Sequence, residues 1–151
     1  MRIVTFLIFI QFVSFLSCKK DEVSYDSVTG NWKLIEIYDK TTSAYINYPA
    51  GSTGDVVINF TGTGTYSGKT LRNTFRSGSY SIISATKISF DPFLETTQVI
   101  EDEWGGAFLT VLQFCGLSST IPCPPMDYSI HNDILTIIPP LRYIIKLEKI
   151  Q

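Results

Sequence analysis

From Gly30 onward apolar and polar residues alternate with a period of two, the signature of strands that lay one face on a core. "GNWKLIEIYD" opens the pattern at Gly30, "DVVINF" and "GTYSG" follow as a pair around Thr61-Gly62-Thr63-Gly64, and "GSYSII" and "KISFD" come next, broken at Ser84-Ala85. Near the end "DYSIH" and "DILTII" are joined by His131-Asn132-Asp133, and "RYIIKLEKI" puts Tyr143, Ile145 and Leu147 on one face and Ile144, Lys146 and Glu148 on the other. Turn residues between short β-branched and aromatic runs predict an antiparallel, all-β domain. One stretch breaks the period. Trp104, Phe108, Leu112 and Cys115 recur at helical spacing behind the acidic Glu101-Asp102-Glu103, which suits a helix N-terminus. The spacing predicts a helix over about 102–114, although Gly105-Gly106 costs a helix roughly 1 kcal/mol per glycine and leaves a bulged strand as the alternative.

Before the alternation begins, Ile3 to Leu16 is apolar except for Thr5, Gln11 and Ser14. A membrane span needs about 20 apolar residues, so this run is short. With Arg2 ahead of it and Ser17 behind, residues 1–17 have the pattern of a secretory signal peptide. Phe15-Leu16-Ser17-Cys18 resembles a bacterial lipobox, which implies cleavage before Cys18 and attachment of a diacylglycerol and acyl chains such as palmitate to it. The usual Leu is replaced by Phe15, and Leu16 stands where a small residue is preferred. Several chains on one cysteine anchor a protein durably, at about 0.8 kcal/mol per buried CH₂. Lys19-Lys20-Asp21-Glu22 is too charged for a core and resembles a surface-export signal of Bacteroidota lipoproteins. Residues 18–29 then read as a lipidated cysteine with a polar tether. The expected location is the outer membrane, on its periplasmic face or exported to the cell surface.

Removing the first 17 of 151 residues leaves 134, enough for one domain and too few for two. Arg2 leaves with the signal, so 11 basic residues face 14 acidic ones, a net charge of −3. The lysines and arginines are scattered among acids without the basic stripe that nucleic acid requires. Beyond Cys18, Cys115 and Cys123 flank "GLSSTIP" in a compartment that permits disulfides. A bridge there closes a short loop and contributes on the order of 2 to 3 kcal/mol at most. A metal pair lacks partners, because His131 is the single histidine, and no zinc or calcium spacing appears.

"GNWKL", "FTGTGTYSGKTLRNTFRSGSYSI", "AFLTVL" and "YSIHNDILTI" together resemble the META domain, a bacterial module often found on exported proteins. The likeness runs over most of Gly30 to Ile150 and implies residues 30–151 form a small lipocalin-like β-barrel with one helix. Gly68, Asn73, Gly78 and Tyr80 fall in the order of that family's Gly, Cys-Asn, Gly-x-Tyr signature, with Arg72 where many members have the cysteine. Trp32 after Gly30 resembles the Gly-x-Trp that opens lipocalin barrels, where the indole plugs one end and needs a partner for its N–H. Trp32, Asn73, Gly78 and Tyr80 are therefore structural barrel positions: Asn73 is expected in a turn, and the glycines at turns or kinks.

Catalysis has little to stand on. A nucleophile needs a base within reach, and the lone histidine sits in a turn-like sequence; Glu95, Glu101, Asp102 and Glu103 are close enough in sequence for a two-acid site but read better as a helix start. No catalytic residue, metal or cofactor is assigned, and the chain is expected to be a non-enzymatic monomer. Two functions remain. One is an interaction or stress-adaptation module that meets an envelope protein. The other is a lipocalin-like binder whose barrel mouth takes a small apolar or amphipathic ligand, with Tyr45, Tyr48, Trp104 and Phe108 as the aromatic contacts.

Overall fold

A computed structural model describes residues 28–91, 94–95, 97, 99–117 and 124–151. Ten strands and two helices follow in chain order: β1 (Gly30–Asp39), β2 (Ala44–Tyr45), β3 (Val57–Phe60), β4 (Thr65–Lys69), β5 (Thr74–Ser84), β6 (Lys87–Asp91), β7 (Leu94–Glu95), α1 (Glu103–Leu112), α2 (Phe114–Leu117), β8 (Met126–His131), β9 (Ile134–Ile138) and β10 (Tyr143–Ile150). The expected signal peptide, the lipidated Cys18 and most of the tether lie outside the described residues.

Every long strand pairs antiparallel with its neighbour in sequence, in the order β1-β3-β4-β5-β6-β8-β9-β10, and β10 returns to pair with β1. The result is a closed eight-stranded up-and-down barrel, and closure removes the exposed edges that an open sheet would leave. The two-residue β2 and β7 extend β1 and β5. Alternation along β1 changes phase once: Trp32 and Leu34 face inward, the register shifts between Leu34 and Glu36, and Ile37 and Asp39 then take the inner face. Ile35 is the extra residue of this bulge, which bends the strand and leaves Ile35 on the outside. A second bulge, between Tyr66 and Gly68, opposes a longer run of β5 in which Ser77 takes a left-handed conformation, φ 64°.

The two ends of the barrel differ. At one end Val28 leads into β1, and tight turns join the hairpins: Thr61 to Gly64, residues 85–86, and Asn132-Asp133, whose φ angles of 48° and 60° make the primed turn that matches strand twist. Trp32 closes this end; it is fully buried, and its indole N–H donates to the Val28 carbonyl at 2.7 Å. The expected core role of Trp32 is what the geometry displays. His131 is the last residue of β8 and pairs with Ile134, so the turn is two residues long and not the three-residue joint that the sequence suggested. The opposite end carries the long connections, residues 40–56, the Thr70 to Asn73 turn, the segment leading from β6 through α1 and α2 to β8, and residues 139–142.

The helix closes that second end. Asp102 caps it, its carboxylate accepting from the Gly105 N–H at 2.8 Å. Trp104, Ala107, Phe108, Leu109, Val111 and Leu112 are all buried, as on a helix enclosed on most sides. It packs on β10 and β1, while the Phe108 ring meets Phe75 of β5, on the far wall, at 6.2 Å. The continuous helix expected over 102–114 is instead two pieces, with Gln113 as the C-cap of α1. Gly105 is a requirement of packing: a Cβ there would collide with the Glu101 carboxylate and press on Thr70. Between the two closures an aromatic column fills the barrel, Phe60 against Tyr80 at 5.0 Å and Phe90 at 5.9 Å, and Tyr66 against Phe90 at 5.5 Å. Tyr80 and Tyr66 keep their hydroxyls satisfied by donating to the carbonyls of Thr61 at 2.7 Å and Asp91 at 2.9 Å. Burial pushes the Tyr66 hydroxyl well above the usual range for a phenol.

Candidate functional site

The β1 bulge creates the site. Residues before it pair with β3 and those after it with β2, so the 46–56 connection crosses the flank of the barrel where the strands part. Two backbone bonds hold that connection down, Ile46 N–H to the Ile37 carbonyl at 3.0 Å and Leu34 N–H to the Val56 carbonyl at 2.9 Å. Tyr48 then reaches over the loop to donate to the Gly54 carbonyl at 2.8 Å. Its ring stands edge to face against Trp104 from the start of α1, with centroids 5.8 Å apart.

These elements enclose a cleft of about 450 Å³ floored by Leu34 and Val56 and flanked by Tyr48 and Trp104. Lys33 and Asp55 sit at its lip as a half-exposed ion pair, 2.8 Å apart; the hydrogen bond and charge of Asp55 raise the Lys33 ammonium above its ordinary value. Trp104 is 4% exposed, and its Nε1 is buried with no hydrogen-bond partner among the described residues. That contrasts with Trp32, whose indole is satisfied. A buried donor without an acceptor is uncommon.

Of the four aromatic residues expected to contact a ligand, only Tyr48 and Trp104 come together. Tyr45 lies outside the cleft, 60% exposed and edge to face with Tyr38 at 5.3 Å, because β2 carries it along the outer end of β1. Phe108 is fully buried in the core, since the same helical spacing that aligned it with Trp104 turns it towards Phe75. Lys33, Ile35, Ser52, Gly54 and Asp55 complete the cleft, and nothing in the local sequence marks them; only the bulge brings the loop over β1.

Asn73 sits in the β4–β5 turn, as expected, and does more there than turn the chain. Its amide donates to the Val99 carbonyl at 2.7 Å and to Glu101 Oε1 at 2.5 Å, while its carbonyl accepts from the Val99 N–H at 2.8 Å and the Thr97 hydroxyl at 3.0 Å. Thr70 donates to the same Glu101 oxygen at 2.6 Å, and Arg72 donates to the Ile100 carbonyl at 3.0 Å. This network fastens the segment that leads into α1. One oxygen of Glu101 is thus held by the turn, while its Oε2 is buried with no partner among the described residues, and Asp102 is held by the helix cap. Gly62 and Gly64 lie in a turn, whereas Gly68 and Gly78 lie within strands; the Tyr66 ring occupies the space a Cβ on Gly78 would need. Cys115 packs partly buried against the core. Cys18 and Cys123 lie outside the described residues. Among the described residues no group of three or more metal-ligating side chains forms, and no helix is long and apolar enough to cross a membrane.

A closed eight-stranded up-and-down barrel with its interior filled and one end capped by a helix defines a small lipocalin-like β-barrel protein. Two solved structures share the fold. The NMR structure of a protein from Burkholderia xenovorans superposes with a TM-score of 0.57 at 17% identity, covering 81% of this chain and 82% of that one. The crystal structure of a DUF4847 family protein from Bacteroides vulgatus gives 0.52 at 13% identity, covering 80% and 92%. No family model and no curated protein matches the chain.

Proposed function

We propose that this protein is a lipid-anchored, META-like barrel of the outer membrane that acts without catalysis, presenting its helix-capped end to a partner in the envelope or at the cell surface. One observation carries the reading. Among the described residues, six of the eight large hydrophobic side chains that are exposed, Tyr45, Tyr48, Val99, Ile100, Ile138 and Leu141, lie at the end opposite the tether. Single exposed apolar residues are ordinary; their concentration on the end that faces away from the anchor is what an interaction face requires. The filled aromatic column argues against a ligand held inside the barrel. A Cys115–Cys123 bridge belongs to the same reading, and it would brace the connection from α2 to β8.

The test has two arms in the full chain. Cys18→Ala is expected to leave an uncut precursor and abolish lipid modification, measured by mass and membrane fractionation; unchanged processing and acylation refute the anchor. A photo-cross-linking amino acid at Ile100, 86% exposed at the capped end, is expected to capture a discrete partner in cells, and one at Ile83, 54% exposed at the tether end, is not. Equal capture at both positions, or at neither, refutes the interaction face.

A further inference from the structure

We infer that the Tyr48–Trp104 cleft binds a small, uncharged, ring-bearing molecule that carries a hydrogen-bond acceptor, held on the flank of the barrel. This does not rest on the anchor or on a protein partner, and it stands whether or not Cys18 is acylated.

Size and lining come first. The volume of about 450 Å³ lies in the range of small-molecule sites, and the floor of Leu34 and Val56 with the walls of Tyr48 and Trp104 is apolar and aromatic. Such surfaces favour a flat or cyclic body that stacks against rings. Charge comes next. Lys33 and Asp55 are the two charged residues on the lining, and they already neutralise each other at 2.8 Å. An ionic ligand would have to break that pair, so an uncharged one is preferred. The acceptor follows from Trp104. Trp104 lines the cleft, and its indole N–H is buried with no partner among the described residues; leaving a buried donor unmade is costly. A carbonyl or ether oxygen on a ligand that shifts the Tyr48 ring from the Trp104 ring as it enters would reach and relieve it. Tyr48 cannot donate its hydroxyl elsewhere without releasing Gly54, so the ligand and the 48–54 loop are linked through one side chain.

Acetanilide, a phenyl ring with a neutral amide carbonyl, is a suitable probe. The chain has two tryptophans, and Trp32, bonded to Val28 at the other end of the barrel, is an internal control. The full chain, labelled with ¹⁵N at its indoles, is titrated with acetanilide. The Trp104 indole N–H is expected to move downfield and saturate, with a dissociation constant on the order of millimolar for a ligand of about ten non-hydrogen atoms, while Trp32 stays in place. Tyr48→Ala, an exposed substitution, is expected to weaken binding roughly tenfold, in line with losing an aromatic wall. Trp104→Phe, which keeps an aromatic ring and removes the N–H donor, is expected to weaken binding severalfold, in line with one lost hydrogen bond, read from the probe's own saturation-transfer signal. No saturable shift, parallel movement of both indoles, or unchanged binding in Tyr48→Ala would each overturn the inference.

Discussion

Gly78→Ala tests the packing of the barrel most directly. Gly78 pairs across the sheet with Tyr66, and a Cβ at this position would lie only 2.2 Å from Cζ of the Tyr66 ring. The ring has nowhere to go. It is 1% exposed, its hydroxyl donates to the Asp91 carbonyl at 2.9 Å, and it touches Phe60, Phe75 and Phe90 at centroid distances of 6.1, 6.2 and 5.5 Å. Displacing it forfeits a hydrogen bond of about 1 kcal/mol and part of three aromatic contacts at about 0.5 to 1.5 kcal/mol each, in line with the roughly 1 to 3 kcal/mol that overpacking a core costs. A loss of about 3 kcal/mol is expected. Against it stands the better strand propensity of alanine, which is worth less than about 1 kcal/mol. The assay is urea unfolding followed by near-ultraviolet circular dichroism. At a slope near 1.5 kcal/mol/M the midpoint should fall by about 2 M with an unchanged slope. The decisive control is the double variant: in a Tyr66→Ala background there is no ring to strike, so Gly78→Ala should be almost neutral. A loss below about 1 kcal/mol in the single variant, or an equal loss in both backgrounds, refutes the reasoning.

Asn73→Ala removes four hydrogen bonds from a side chain that is 5% exposed and strands the groups around it. A loss of about 3 kcal/mol is expected, with faster amide exchange at Val99 as the local readout; protection at Val99 equal to that of the parent would show that Asn73 does not fasten the segment. Asp39 lies buried under Arg142, which donates to one carboxylate oxygen from Nε at 2.9 Å and from a terminal nitrogen at 2.6 Å. That hydrogen bonding lowers its pKa from 3.8 to about 2. Because the folded value lies below the unfolded one, the stabilisation is complete above about pH 4 and is lost as pH falls towards 2. Unfolding midpoints from pH 7 to pH 2 should show this step, and Asp39→Asn should flatten it; an identical acid profile in the variant assigns the acid loss to other carboxylates.

The eight principal strands were legible because most of their length alternates between apolar and polar residues and is bounded by turn residues, so side-chain period marks them before any tertiary contact forms. β1 and β6 occupy the spans that alternation marks, Gly30 to Asp39 and Lys87 to Asp91. The start of β5 did not show: Thr74 to Ser77 has no alternation of its own and pairs only because the β4–β5 turn delivers it beside β4 and β7. The helix was legible from its spacing and acidic start, but its break at Gln113 was not.

The aromatic contacts divide in the same way. Spacing placed Trp104 and Phe108 on one helical stripe, yet the stripe is wide enough that one ring reaches the cleft and the other enters the core. Tyr48 meets Trp104 across more than fifty residues of chain, and Lys33 meets Asp55 across a loop. No local pattern encodes such meetings, because they depend on where a single extra residue, Ile35, bends β1. By itself the sequence determined the strands, the helix and the residue types available at each end. Which of them share a site was decided by barrel closure, which fixes long-range neighbours through register and bulges that only the paired sheet defines.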